Sequence, residues 1–164
     1  LEGLEEEEEQ LESCVDYTSV DPDKLESYWD LFVEDVKCSR GGPNYDEINK
    51  TVTLYFIVPT AETVASGVTA DHAGYSTYAG YCNSEAVNIG VIEDYWIDYV
   101  EVQKLWLMYH EFGHDVYRYR HSTDPTDIMY PSVARSDVKI NDFIRAKERF
   151  LKRTFDGIEY INCD

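Results

Sequence analysis

The run HEFGH at residues 110–114 has the residue types and the spacing of a hydrolytic metal site. His110 and His114 are four residues apart, so at 3.6 residues per turn both side chains lie on one face of a helix. Two imidazoles in this arrangement can bind one zinc ion, and Glu111 beside them can act on a water at the metal. A third ligand is still needed, and His121 is the candidate, because three of the chain's four histidines lie within twelve residues.

The residues before this motif predict the helix that must carry it. They are apolar on nearly every side, as a helix buried in the middle of a domain requires, and they comprise Val100, Val102, Leu105, Trp106, Leu107 and Met108. A pair of imidazoles on such a helix costs free energy in an apolar core unless something binds it. A metal site is therefore favoured over two histidines that merely belong to the core.

Length and composition predict one folded domain with an acidic leader. The chain has 164 residues, of which 43% are hydrophobic and 14% aromatic, enough to form a sizeable core. The net charge is −19, and seven of the negative charges are glutamates within the first twelve residues. This run predicts a disordered tail over residues 1–13 and a single domain over residues 14–164. The domain is still acidic, which argues against nucleic acid or an anionic membrane as a partner.

Four cysteines, Cys14, Cys38, Cys82 and Cys163, are widely spaced and form no C-x-x-C pair, which argues against a thiolate metal site. Two disulfides in a secreted protein are the favoured interpretation, and four buried free thiols are the alternative. The chain shows no signal peptide and no apolar run of 18 residues. We therefore expect a mature extracellular or periplasmic protein without membrane insertion, and a monomer.

The remaining pattern predicts strands before the central helix and another helix after it. Strands are predicted at residues 14–20, 51–58, 64–69, 75–81 and 86–92. After the first strand, Asp21 and Pro22 predict the N-cap and first position of a helix that stops at residues 40–43. The apolar stripe of that helix comprises Leu25, Tyr28, Trp29, Phe32, Val33 and Val36. This order predicts an α/β domain in which a sheet packs against helices.

Further local signals complete the prediction along the chain. Asp98 is predicted to cap the central helix, and Asn141 or Asp142 to cap the last helix, which Gly157 ends. His72 stands apart from the other histidines and is predicted to be a loop or surface residue.

Two segments together resemble the metzincin clan of zinc peptidases, and most nearly its matrixin family. Residues 110–114, HEFGH, are similar to the first part of the family pattern H-E-x-x-H-x-x-G-x-x-H. Residues 121–131, HSTDPTDIMYP, are similar at matching length to the matrixin run from the third histidine to M-Y-P. The resemblance implies an α/β catalytic domain with a twisted, mostly parallel sheet and an antiparallel edge strand. That sheet would pack against a buried active-site helix and a C-terminal helix.

The resemblance also implies the activity and the central residues of a zinc endopeptidase. Zn²⁺ would be held by His110, His114 and His121, and Glu111 would be the general base that takes a proton from water and passes it to the leaving amine. Met129 would form a hydrophobic floor under the zinc site. The substrate would be a protein or peptide.

The same resemblance implies where that substrate binds. Tyr130 directly follows the methionine and is treated as a structural residue that lines the pocket. Together with Pro131, Ser132 and Val133 it is expected to shape the pocket for the residue after the cut. The peptide is expected to lie extended along the edge strand at residues 75–81.

The chain departs from the family pattern at the third histidine. The family position holds Arg120, whose guanidinium has no free lone pair, and His121 lies one residue further on, which implies a one-residue insertion. The family glycine position holds Tyr117, and we expect the extra residue to widen the turn so that no side chain suffers a positive φ. The alternative third ligands are Asp115, Asp124 and Glu148.

Two other functions remain compatible with the sequence. A binding protein on a peptidase scaffold could keep a structural or weakly active zinc site. A zinc hydrolase that acts on non-peptide substrates, such as a deformylase-like enzyme, shares H-E-x-x-H but lacks the methionine turn. Turnover of a protein substrate that is lost in Glu111→Ala separates an endopeptidase from both.

Overall fold

Helices and strands alternate along the part of the chain that the structure describes. The computed structural model describes residues 9–41, 48, 50–57, 74–76, 82, 85–155 and 157–163. The helices are α1 (Leu25–Val36), α2 (Glu93–Trp96), α3 (Glu101–Tyr117) and α4 (Ile140–Lys152), and the strands are β1 (Thr51–Ile57), β2 (Gly74–Ser76) and β3 (Ala86–Ile92). A short 3-10 helix, Tyr17–Ser19, precedes α1, and a π-helical turn, Lys37–Gly41, follows it.

The three strands form one sheet in the order β1–β3–β2. β3 is parallel to β1, with Thr51 opposite Ala86, and antiparallel to the short strand β2. Within the described ranges the protein is therefore a mixed α and β fold with a two-stranded parallel pairing and an antiparallel edge.

The strand predictions can be compared with this sheet where the chain is described. β3 has the predicted bounds, and β1 follows the prediction to Ile57. The predicted strand at residues 75–81 is described only at its start, where β2 lies. The predicted strand at residues 64–69 lies outside the described residues, as does His72.

The helices bury one face of β3. Val87, Ile89 and Val91 alternate along the strand and are at most 1% exposed, as a period of two requires. They share one core with the predicted apolar stripe of α1 and with α3. Phe32 of α1 packs edge-on against Tyr109 of α3, with ring centroids 5.1 Å apart. The helix that carries the histidine motif is thus held between the sheet and α1.

Residues 14–20 do not form the predicted strand. Asp16 instead caps the short 3-10 helix, because its carboxylate accepts hydrogen bonds from the backbone N–H of Thr18 at 2.9 Å and from its hydroxyl at 2.6 Å. Short polar side chains that bond to the neighbouring backbone compete with strand pairing, and here the local bonds prevail.

α1 begins three residues later than the sequence predicts. Asp21 caps a preceding turn rather than the helix, since its carboxylate accepts the N–H of Asp23 at 2.9 Å. The carbonyl of Pro22 accepts the indole N–H of Trp96 at 2.9 Å, which ties that turn to α2. The helix therefore starts at Leu25.

The start of α3 also differs from the prediction. Asp98 lies in the turn after α2 and does not cap the helix, which begins at Glu101. The N–H of Val100 donates to the side-chain oxygen of Gln103 at 3.0 Å. The side chain of a residue in the first turn thus caps the N-terminal end of the helix.

α4 shows the same kind of entry. It begins at Ile140, before both predicted caps, and Asp142 accepts the N–H of Lys139 at 3.0 Å. Its end is Arg153, which takes the left-handed conformation at φ 58°, four residues before Gly157. The buried face of α4 includes Phe143, Ile144, Phe150 and Leu151.

The predicted acidic tail is described only from Glu9 onward. The side chain of Asn141 donates to the carbonyl of Glu9 at 2.8 Å and accepts the N–H of Leu11 at 2.8 Å. Leu11 packs against the core. Residues 1–8 lie outside the described residues, and the boundary of the tail stays a prediction.

Two disulfides, Cys14–Cys38 and Cys82–Cys163, pair all four cysteines as the sequence predicts. They join residues 24 and 81 positions apart, and the chain-entropy model gives about 3 to 5 kcal/mol for loops of such lengths. Disulfides of this kind fit an extracellular setting. Among the described helices, none combines the length and apolar character that a membrane crossing requires.

A buried ion pair lies inside the core that surrounds α3. The ammonium of Lys147 is 3.2 Å from the carboxylate of Asp35, and the two side chains are 1% and 0% exposed. The hydroxyls of Tyr17 and Tyr109 donate to the same carboxylate at 2.8 and 2.7 Å. Burial, together with the charge of Asp35, raises the pKa of Tyr109 well above its ordinary value, so its hydroxyl keeps the proton that it donates. These bonds join α1, α3 and α4 next to the histidine motif.

The variant Lys147→Met tests how strongly this ion pair supports the fold. Its loss leaves the Asp35 carboxylate without its buried cation, and we expect the free energy of unfolding to fall by about 3–5 kcal/mol in urea denaturation. Lys152→Met, on the same helix and 64% exposed, is the control and should leave the midpoint nearly unchanged. Equal midpoints for the two variants would contradict the assignment.

Candidate metal centre

The two motif histidines face the loop that follows α3, and backbone carbonyls of that loop fix their orientation. His110 Nδ1 is 2.7 Å from the carbonyl oxygen of Ile128, and His114 Nδ1 is 2.7 Å from that of Tyr119. A carbonyl oxygen can only accept, so both Nδ1 atoms carry the hydrogen. In the neutral rings both Nε2 atoms are therefore unprotonated, which is the form that binds a metal.

These two Nε2 atoms lie 3.2 Å apart. Two lone pairs at this distance repel each other unless a cation, either a proton or a metal ion, lies between them. Two imidazole nitrogens that bind one zinc tetrahedrally at about 2.0–2.1 Å stand about 3.3 Å apart. The observed separation thus fits a shared metal ion.

The electrostatics of His110 disfavour a proton as that cation. Burial, followed by the charge of His114 nearby, lowers the pKa of His110 well below its ordinary value. The ring is therefore neutral at physiological pH and keeps its lone pair. Its side chain lies on a helix that is buried around it, and the residue is only 7% exposed.

His121 joins the two motif histidines from the loop. Its ring stacks on that of His110 with centroids 5.3 Å apart, and it lies edge-on to His114 at 5.0 Å. Each of the three residues offers a ligand nitrogen, and these atoms lie within 4.8 Å of one another. His121 is exposed, whereas His110 is buried and His114 is partly buried. Among the described residues, these three histidines are the potential metal ligands that the fold brings close together.

The carboxylates considered as alternative third ligands are engaged elsewhere. Asp115 accepts the N–H of Asn88 in β3 at 2.8 Å. Asp124 accepts the N–H and the hydroxyl of Thr126 in its own loop. Glu148 of α4 is paired with the ammonium groups of Lys147 and Lys152.

The turn after α3 contains a residue in the left-handed conformation. α3 runs through Tyr117, and Arg118 then takes the left-handed conformation, at φ 56° and ψ 32°. The expectation that a wider turn avoids a positive φ is wrong, since an arginine occupies the conformation that favours glycine. This conformation leaves a strain of roughly 1 kcal/mol in the turn that leads to His121.

The loop from His121 to the methionine is closed by hydrogen bonds around Asp127. The N–H of Ser122 donates to the carbonyl of Met129 at 2.8 Å, and the hydroxyl of Ser122 donates to Asp127 at 2.6 Å. Arg149 of α4 contacts the same carboxylate at 3.3 Å. Asp127 thereby connects the residue after His121, the methionine turn and α4. The sequence does not single out Asp127, because a carboxylate in a polar loop has no periodicity that marks it.

Met129 is fully buried and lies directly against the backbone of α3. A Cβ built on Gly113 would stand 2.5 Å from the sulfur of Met129 and 2.6 Å from the ring of Phe150. Only glycine at position 113 therefore lets these side chains reach the helix beside His114. An isolated glycine within an apolar helix is the sequence signal that indicates such close packing.

The remaining predicted site residues lie beside these. Glu111 follows His110 on α3 and is 5% exposed. Tyr130 is partly buried, and the loop continues through exposed Pro131 and Ser132 to Val133, which packs against the core. Their catalytic and pocket roles stay predictions.

The variant Arg118→Gly tests the left-handed turn. Glycine relieves the strained φ, so we expect the free energy of unfolding to rise by about 0.5–1 kcal/mol even though a side chain is lost. Arg120→Gly, two residues further along in a paired segment, is the control and should lower it. Denaturation that places both variants below the wild type would contradict a left-handed conformation at Arg118.

No protein-family model, no curated protein and no solved structure matches this chain. The likeness to the matrixins therefore rests on residues 110–114 and 121–131, and on the geometry of three histidines that could hold a metal ion.

Proposed function

We propose that the protein is a secreted zinc-dependent endopeptidase of the metzincin type, with zinc bound by His110, His114 and His121. The observation that carries the proposal is the pair of Nε2 atoms that face each other at 3.2 Å while both Nδ1 atoms bond to carbonyl oxygens. Such an arrangement is unfavourable without a cation, and its spacing fits two ligands of one zinc ion.

The donor set favours zinc over other metal ions. Three neutral imidazoles contribute no charge and no soft sulfur, and all four cysteines are in disulfides. Calcium and magnesium prefer oxygen ligands, whereas imidazole suits zinc and the later transition metals. Three protein ligands leave one position open, which is typical of catalytic rather than structural zinc sites.

The chain's own residues supply the proton transfers and the orientation. Zinc, when bound, contributes a Lewis acid that lowers the pKa of water and polarises a peptide carbonyl. Glu111 takes the proton from the attacking water and delivers it to the leaving amine nitrogen. The carbonyls of Ile128 and Tyr119 hold the rings of His110 and His114 in the correct tautomer.

The resemblance to matrixins suggests how a peptide is accommodated. Met129, buried against α3, forms the floor of the site, and Tyr130 with the exposed residues Pro131 and Ser132 lies beside the substrate. An extended peptide can add to an exposed sheet edge through main-chain hydrogen bonds. The antiparallel strand β2 is the proposed edge.

A binding protein with a weakly active zinc site is the second candidate. It is favoured by one observation: His121 lies exposed on the loop, whereas the rings of His110 and His114 are held by hydrogen bonds to backbone carbonyls. The two candidates predict the same metal content and differ in turnover.

The variant Glu111→Gln separates them. It removes the general base but no metal ligand, so we expect about one bound zinc per chain by elemental analysis and a loss of proteolysis of 10²-fold or more on a fluorescent protein substrate. Glu101→Gln, at the exposed start of the same helix, is the control and should retain wild-type activity. Wild-type protein that binds zinc but cleaves no substrate would favour the binding protein. Zinc content that survives both His110→Ala and His114→Ala would reject the site.

A further inference from the structure

We propose that the C-terminal segment at residues 159–163, tethered by the Cys82–Cys163 disulfide, is the device that positions the third metal ligand. We call this segment the C-terminal brace. The inference rests on the proposed metal site and concerns how the chain holds a loop that lacks the glycine of the family pattern.

The brace pairs with the backbone between the turn and His121. The N–H of Arg120 donates to the carbonyl of Glu159 at 2.8 Å, and the N–H of Ile161 donates to the carbonyl of Arg118 at 2.7 Å. Tyr119 and Tyr160 lie opposite each other between these bonds as an antiparallel bridge. The hydrogen bond of this pairing that lies nearest to His121 along the chain is therefore the one from Arg120, the residue directly before it.

Tyr119, at the centre of this pairing, serves the metal site with its own backbone. Its carbonyl accepts from His114 Nδ1 at 2.7 Å, and its N–H donates to the carbonyl of Gly113 at 3.1 Å. The brace bonds to the residues on both sides of Tyr119. Its position therefore determines the orientation of His114 and the point at which the chain turns toward His121.

The turn needs such support because its own conformation is unfavourable. Arg118 holds a left-handed φ of 56°, and only glycine adopts that region without strain. A cavity of about 450 Å³ lies between the ends of α3 and α4 and the brace. Residues of both the turn and the brace line it, among them Arg118 and Ile161.

The disulfide connects the brace to the sheet. Cys163 is bonded to Cys82, which lies four residues before β3. β3 is in turn joined to α3 by the bond from the N–H of Asn88 to Asp115, the residue after His114. The disulfide therefore links the brace, through Cys82, to the strand that bonds to α3 next to His114.

The test compares two disulfides of similar expected contribution to stability. Zinc affinity is measured by competition with a chromogenic chelator for the wild type, for Cys82→Ser/Cys163→Ser and for Cys14→Ser/Cys38→Ser, all verified as folded by circular dichroism. We expect the first double variant to bind zinc about 10- to 100-fold more weakly, as loss of outer-shell support does. The second should stay close to the wild type, because Cys14–Cys38 joins the N-terminal segment to the end of α1.

A proline variant keeps the disulfide and removes one bond of the brace. Ile161→Pro deletes the N–H that donates to Arg118, and we expect weaker zinc binding and a changed visible spectrum of the Co²⁺-substituted protein. If Cys82→Ser/Cys163→Ser fails to fold, this variant decides the matter. Zinc affinity equal to wild type in the folded variants would contradict the proposal that the brace positions the third metal ligand. Wild-type protein that binds zinc but shows no proteolysis would contradict the proposed endopeptidase activity. It would leave the proposed role of the brace unaffected.

Discussion

Two hydrogen bonds from imidazole Nδ1 atoms to backbone carbonyls are the constraint on which the candidate site depends. By fixing the hydrogens of His110 and His114 on Nδ1, the carbonyls of Ile128 and Tyr119 turn both Nε2 lone pairs toward one point. These carbonyls belong to the loop after α3, not to the helix itself. The loop must therefore keep its shape for the helix motif to be a metal site at all.

The core and the loop hold this geometry in different ways. α3 is positioned by aromatic packing and by the Asp35–Lys147 pair, whose bond to Tyr109 ends one residue before His110. The loop is held by polar contacts at Asp127 and by pairing with the C-terminal segment. A buried helix thus carries two of the three histidines that could hold a metal ion, and a loop fixed by hydrogen bonds carries the third.

The sequence predicts the helices and strands whose apolar residues recur at a regular spacing. It fails where side chains form hydrogen bonds to the neighbouring backbone that compete with the expected element. The apolar run of α3 and the β-branched strand β3 were predicted correctly, because burial on regular spacing leaves a clear pattern. The strand at residues 14–20 was wrong, since Asp16 bonds to the backbone beside it. For the site, HEFGH predicted the first two histidines from helical spacing. The left-handed Arg118 and the role of Asp127 depend on contacts with distant segments, which no local pattern reveals.

X-ray absorption at the zinc edge of the metal-loaded protein measures directly which side chains bind the metal. If His110, His114 and His121 are the ligands, the spectrum of the wild type shows three imidazole nitrogens and one oxygen at about 2.0–2.1 Å, and that of His121→Ala shows two imidazoles. Arg120→Ala, which changes the residue at the family position of the third histidine, should leave the spectrum unchanged. A carboxylate as the third protein ligand, or an imidazole number that is the same in His121→Ala as in the wild type, would contradict the site described here.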